Sequence, residues 1–122
     1  MIRNKEKEIL IVEDDPCYAF ILEKTLSIFF NTTIVTSGYA ALNAIEENIY
    51  DAILMDTNLG DANMDGLKTM LLIKQSNKHR GLKIFAMTAF SDAREWYMKQ
   101  GFEDLFIKPI ENERIINLLK IN

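Results

Sequence analysis

Cysteine occurs once in these 122 residues, histidine once, tryptophan once and proline twice. One cysteine excludes an internal disulfide framework. Basic charge is in deficit: the formal net charge is −4 at pH 7, whereas a phosphate-backbone binder carries a basic surplus or stripe. No apolar run approaches the roughly 20 residues that span a bilayer, and no secretory signal opens the chain. A cytoplasmic protein is expected, with neither membrane nor nucleic acid as a direct partner. Repeats, linkers and low-complexity segments are missing as well. What remains is an ordinary globular composition, 48% hydrophobic and 26% charged, at a length that fits one domain with a proper core.

The stretch Tyr50-Asp51-Ala52-Ile53-Leu54-Met55-Asp56 organises the rest. It reads as a parallel strand buried on both faces that ends in a carboxylate. A charge is costly inside a core but tolerable where a strand leaves the sheet, and ligands bind at that edge of an open parallel sheet.

Residues 1–8 are of mixed charge and read as a frayed lead-in to a domain over 9–121. Ile9 to Val12 is the first strand; it stops on Glu13-Asp14-Asp15, and Pro16 opens a helix capped by Asp15. Tyr18, Ile21, Leu22, Thr25, Leu26 and Phe29 recur at helical spacing, with Phe29-Phe30 closing that helix over the sheet. Thr32 to Thr36 is a β-branched second strand, followed by a helix from Tyr39 to Glu47. After Asp56 comes a loop rich in glycine, asparagine and aspartate, then a helix from Gly66 to about Asn77, capped by Asp65 and burying Leu67, Met70, Leu71 and Ile73. Lys83 to Met87 is the fourth strand and delivers Thr88; Ser91 to Gln100 is a helix stopped by Gly101. Glu103 to Ile107 is the fifth strand, ending on Lys108-Pro109, and the last helix, Glu111 to Ile121, buries Ile115, Leu118 and Leu119. Strands alternating with helices predict an α/β fold: a doubly wound, five-stranded parallel sheet with helices on both faces.

In such a sheet all strands end on one edge. Glu13 and Asp14, Asp56, Thr88 and Lys108 therefore come from four strands to one place. Clustered carboxylates repel by about 4 kcal/mol per close pair at an intermediate dielectric. Lys108 offsets one charge, and a divalent ion offsets the rest; an all-oxygen site suits Mg2+. Such a site can place a phosphoryl group on Asp56, with Lys108 and the metal neutralising the developing charge and Thr88 donating a hydrogen bond.

Five segments now stand in order: Ile-Val-Glu-Asp-Asp-Pro (11–16), Ile-Leu-Met-Asp (53–56), Met-Asp-Gly (64–66), Met-Thr-Ala (87–89) and Ile-Lys-Pro (107–109). Together they resemble the receiver domain of two-component response regulators over nearly all of residues 9–121. The resemblance implies the flavodoxin-like strand order 2-1-3-4-5, with Asp56 as phosphoacceptor. It makes Asp14 a direct Mg2+ ligand, Glu13 a ligand mostly through water, and Asn58 the donor of a backbone carbonyl. Thr88 and Lys108 are then the pair that touches the phosphoryl group, and the Lys108-Pro109 bond is cis. The implied donor is a phosphohistidine on a sensor histidine kinase or phosphotransfer protein. Phosphorylation would draw the Thr88 hydroxyl inward and repack the face of helix four, strand five and helix five toward a downstream protein.

Two positions depart from that pattern. Leu105 stands where the family commonly has an aromatic switch residue, so the usual coupling of threonine to aromatic loses its hydroxyl. The loop after Asp56 runs longer than usual and has Gly60 where proline is common. Asn58 and Phe90 flank the site and are expected to tune the phosphoryl lifetime. Elsewhere, Cys17 reads as a small buried filler, His79 as a solvated loop residue, and one of Trp96 and Tyr97 must be partly exposed. A phosphohydrolase would need an acid/base aspartate two residues past Asp56, where Asn58 stands. A flavodoxin-like nucleotide or flavin binder would need a phosphate loop where Glu13-Asp14-Asp15 stand. A receiver-like module that only binds partners is the alternative. The 122 residues hold no output module, which leaves a single-domain regulator, a phosphate relay or a receiver cut from a larger protein such as a hybrid kinase.

Overall fold

Apart from the polar, half-exposed strand over residues 31–35, each strand of this chain is an apolar run that stops at a polar residue, and the sheet follows from that repetition. A computed structural model describes residues 7–79, 81–89 and 93–121. Residues 1–6 of the expected lead-in, Phe90, and the expected start of the fourth helix at Ser91 lie outside the described residues. In chain order the elements are β1 (Glu8–Val12), α1 (Pro16–Leu26), β2 (Asn31–Val35), α2 (Gly38–Glu47), β3 (Ala52–Asp56), α3 (Gly66–Gln75), β4 (Lys83–Thr88), α4 (Arg94–Gln100), β5 (Leu105–Ile107) and α5 (Asn112–Ile121). The five strands pair in parallel in the order β2-β1-β3-β4-β5.

Alternation along the strands sorts the core into two layers. Leu10, Val12, Ile53, Met55, Ile84 and Ala86 pack with Ala41, Ile45, Met70 and Ile73 of α2 and α3. Ile9, Ile11, Leu54, Phe85, Met87 and Phe106 pack with Leu22 and Leu26 of α1 and Ile115 and Leu119 of α5. Full burial of each such aliphatic side chain contributes about 1.5–3 kcal/mol. The helices start where short polar side chains stop the strands. Asp15 accepts from the Cys17 amide, Ser37 from Ala40 and Asp65 from Lys68, each capping the helix that follows. At the C-terminal side, α4 ends at Gly101, whose φ of 126° suits glycine.

The free edge of β5 is covered by side chains. Its Leu105 amide donates to Asp104 Oδ1 at 2.7 Å, and Arg114 Nη1 donates to the Leu105 carbonyl at 3.1 Å. Arg94 and Arg114 in turn pair with Asp104 at 3.0 and 3.3 Å, joining α4, β5 and α5 and blunting an edge that would otherwise be open to pairing. Where the strands begin, just before β1, Lys7 donates to the carbonyls of Leu119 and Lys120 at 2.8 and 3.0 Å. Residues 7 and 8, read as part of the lead-in, therefore belong to the fold.

Several side chains lie elsewhere than their spacing suggested. The first helix ends at Leu26, and Ile21 is exposed, because Ala19, Leu22 and Leu26 form the buried stripe. Phe30 does cover the sheet end. Leu71 is exposed, while Met70 and Ile73 beside it are buried. Cys17 is not a buried filler: it sits exposed on the solvent side of the first turn of α1. His79 is not solvated: its side chain is only 11% exposed, with Nε2 shielded from solvent and 3.8 Å from Glu46 Oε1 on α2.

Candidate functional site

The strand order places β1 and β3 side by side at the centre, and the chain winds outward from them in opposite directions. The crevice outside their C-terminal ends is where such a sheet receives a ligand. The ladder continues past the strand ends and fixes what stands there. Glu13 N–H bonds to Val35, Thr57 N–H to Met87, and Lys108 N–H to the Thr88 carbonyl at 2.7 Å. Thr88 and Lys108 are thus locked side by side.

Glu13, Asp14, Asp56, Asn58, Thr88 and Lys108 all line one cleft of about 290 Å³. Phe90, also expected to flank the site, lies outside the described residues. One carboxylate oxygen from each of Glu13, Asp14 and Asp56 lies within 4.8 Å of the others, and Asp14 is the exposed member of the three. Lys108 Nζ sits 2.6 Å from Glu13 Oε1 and 3.3 Å from Asp56 Oδ2. Backbone amides hold the remaining oxygens of the two buried carboxylates: Asp15 N–H donates to Glu13 Oε2 at 3.1 Å, and Asn58 N–H to Asp56 Oδ1 at 3.1 Å. Thr88 is buried at the end of β4. The Lys108-Pro109 bond is cis.

Burial pushes the Glu13 carboxyl up to about 7, and hydrogen-bonding contact with Asp56 pushes the same way, against the pull of Lys108 and the Asp15 amide. Burial alone would lower Lys108, but its hydrogen bond to Glu13 and the Asp56 charge raise it above its ordinary value. With all three carboxyls ionised, one ammonium leaves two negative charges uncompensated. An all-oxygen set with that deficit fits one hard divalent ion such as Mg2+, held by carboxylates with water completing its shell.

The β3–α3 loop shapes one wall. Gly60, at φ 74°, occupies a conformation closed to proline and unfavourable for other side chains, and its amide bonds to Asn58 Oδ1 at 3.2 Å. A Cβ there would come within 3.3 Å of Asp14 Oδ2. Leu105 is buried in the layer that includes Phe102 and Tyr97. Tyr97 packs edge-on against Phe102 at 5.7 Å, leaving Trp96 half exposed, as two adjacent aromatics on one helix require. Sequence reasoning missed Tyr18, whose ring lies under the Lys108 ammonium; nothing local in the sequence links two residues that far apart.

The response regulator receiver domain model matches residues 9–120. The chain is 35% identical to the transcriptional regulatory protein ZraR of Salmonella typhimurium over 123 residues, which is 98% of this chain and 27% of the regulator. It is 32% identical to the signal transduction histidine-protein kinase BarA of Shigella flexneri over 114 residues, 91% of this chain and 12% of the kinase. The chain thus spans about a quarter or less of these curated relatives. Among solved structures, the receiver domain of a Pseudomonas aeruginosa sensor histidine kinase superposes with a TM-score of 0.83 at 32% identity, covering 94% of this chain and 95% of that one. That structure has a magnesium ion coordinated in its active-site cleft. Fold, matched length and sequence identity agree: the chain belongs to the response regulator receiver domain family.

Proposed function

We propose that this receiver accepts a phosphoryl group on Asp56 from a phosphohistidine of a sensor histidine kinase or phosphotransfer protein, and signals through a protein contact. The observation that carries the reading is the meeting of four strand ends in one cleft, with Lys108 bridging Glu13 and Asp56. Glu13, Asp14, Asp56 and the Asn58 carbonyl would hold Mg2+, which when bound draws charge from the phosphoryl oxygens. An oxygen of the Asp56 carboxylate attacks phosphorus, and the donor's P–N bond breaks with its electron pair returning to the imidazole. Lys108 stands beside Asp56 to neutralise the charge that gathers on the transferred group. Thr88, at the end of β4, donates its hydroxyl to a phosphoryl oxygen. The Asn58 amide holds Asp56 in place throughout.

The domain expected over residues 9–121 is extended by Lys7 and Glu8, and its output face is taken as α4, β5 and α5. The new dianion shifts that face between two packings through Thr88 and its β5 neighbour Ile107. Leu105 takes part as a space-filling residue, since it has no hydroxyl to exchange partners. The reading places the protein in the cytoplasm; separately, among the described residues no helix is long and apolar enough to cross a membrane.

Intact-mass spectrometry after incubation with acetyl phosphate and Mg2+ tests the reading, alongside Asp56→Asn and a metal-free sample. One phosphoryl group is gained by the parent protein and by neither control. Failure with acetyl phosphate and with phosphohistidine donors alike, while Mg2+ still binds, would replace the switch by a constitutive binding module.

A further inference from the structure

The cation of the site has a neighbour that none of the roles above uses. Tyr18 lies near the start of α1, and Lys108 Nζ stands 4.8 Å from the centre of its ring. An ammonium over an aromatic face is attracted by the ring quadrupole, more strongly when shielded from water, and the Lys108 side chain is only 23% exposed. The same tyrosine has a second grip on this segment. Its hydroxyl accepts a hydrogen bond from the Ile110 amide at 3.2 Å. Burial pushes the phenol above its ordinary value, so the hydroxyl stays neutral at physiological pH. One side chain of α1 therefore holds both the charged tip of Lys108 and the backbone two residues beyond it.

This matters because a lysine is a point charge on a flexible four-carbon stem. The ammonium sits closer to Glu13 Oε1, at 2.6 Å, than to Asp56 Oδ2, at 3.3 Å. Its pull toward Glu13 draws it away from the carboxylate where charge gathers during transfer. The aromatic face bounds its travel on the α1 side, and the Ile110 bond keeps the supporting loop from drifting.

We propose that Tyr18 is a positioning residue for phosphoryl transfer, its ring fixing where the Lys108 ammonium sits relative to Asp56. The inference rests on the reading of Asp56 as phosphoacceptor and Lys108 as its cation.

Acetyl phosphate is the donor for the test, since a small molecule needs no docking surface on α1 that a substitution could spoil. Tyr18→Leu slows the saturated rate of phosphorylation about tenfold while Mg2+ affinity stays within about twofold, and Tyr18→Phe, which keeps the ring, recovers most of the rate. The Lys108 ε-methylene protons, read by NMR, are shifted upfield by the ring in the parent and in Tyr18→Phe, and return to ordinary positions in Tyr18→Leu. Tyr18→Met gives the same loss of ring should the leucine variant not fold. A folded, ring-less variant that phosphorylates at the parent rate, or Lys108 resonances that do not respond to loss of the ring, overturns the proposal. If the parent gains no phosphoryl group from acetyl phosphate or from phosphohistidine donors, the reading of Asp56 fails instead, and the NMR comparison still decides whether Tyr18 seats Lys108.

Discussion

Glu13 and Asp56 are both buried carboxylates that share one ammonium, so a proton has a reason to stay. Glu13 rises from 4.5 to about 7, chiefly because burial disfavours its charge. In the metal-free protein the consequence for stability has a definite sign. Between pH 4.5 and 7 the folded chain holds a proton at Glu13 that the unfolded chain has released, so stability falls as pH rises through this window. The fall from this group amounts to about 3 kcal/mol and levels off above pH 7. Urea unfolding without metal at pH 5 and pH 8 measures it, with Glu13→Gln removing this part of the slope. If Glu13→Gln leaves the pH dependence of stability unchanged, the assignment of the buried proton to Glu13 is wrong.

Among the elements, α3 carries the tightest constraint on the site. Its first residue, Gly66, has its backbone against the end of β3: a Cβ there would fall on the carbonyl oxygen of Asp56 and within 2.8 Å of Thr57 Cα. Neither obstacle is a flexible side chain, so the helix or the strand end must move. Gly66→Ala should cost about 1–3 kcal/mol in a denaturant titration and weaken Mg2+ binding by displacing Asp56. Unchanged metal affinity in a destabilised variant would show that α3 gives way and β3 does not. The elements themselves were legible in the sequence because strands buried on both faces are uninterrupted apolar runs, and each stopped at the polar residue it delivers: Glu13, Asp56, Thr88, Lys108. The orientation of α1 was not. Phe20 and Ile21 are apolar yet exposed, which widens the helix's apolar arc and hides which stripe, Ala19-Leu22-Leu26, is buried. His79 escaped for a different reason. It sits in an irregular connection, sharing a cleft with residues 48–51 and meeting Glu46 of α2, so no local period carries the signal. Tyr18 and Ile110 are 92 positions apart, beyond the reach of any local pattern.

For the molecule as a whole, the two uncompensated charges of the cleft couple metal binding to stability. A ligand that binds only the folded state, at a hundred times its Kd, adds about 2.7 kcal/mol. Saturating Mg2+ is expected to raise Tm by several degrees, and Asp14→Asn to remove most of the rise; Asp14 is exposed, so the substitution leaves the core alone. A thermal scan with and without the metal checks this, and equal Tm values in both would count against a metal at these carboxylates. The hold of Lys7 on the last carbonyls of α5 has its own consequence. It brings the two leads of the domain together at the edge where the strands begin, the far side from Asp56. Anything joined to either lead is tethered away from the cleft, so the cleft stays open whichever lead is extended. The same proximity means the leads can be bridged by a short linker and the ring reopened at the exposed Asn48-Ile49 bend, giving a permuted chain whose cleft residues are untouched.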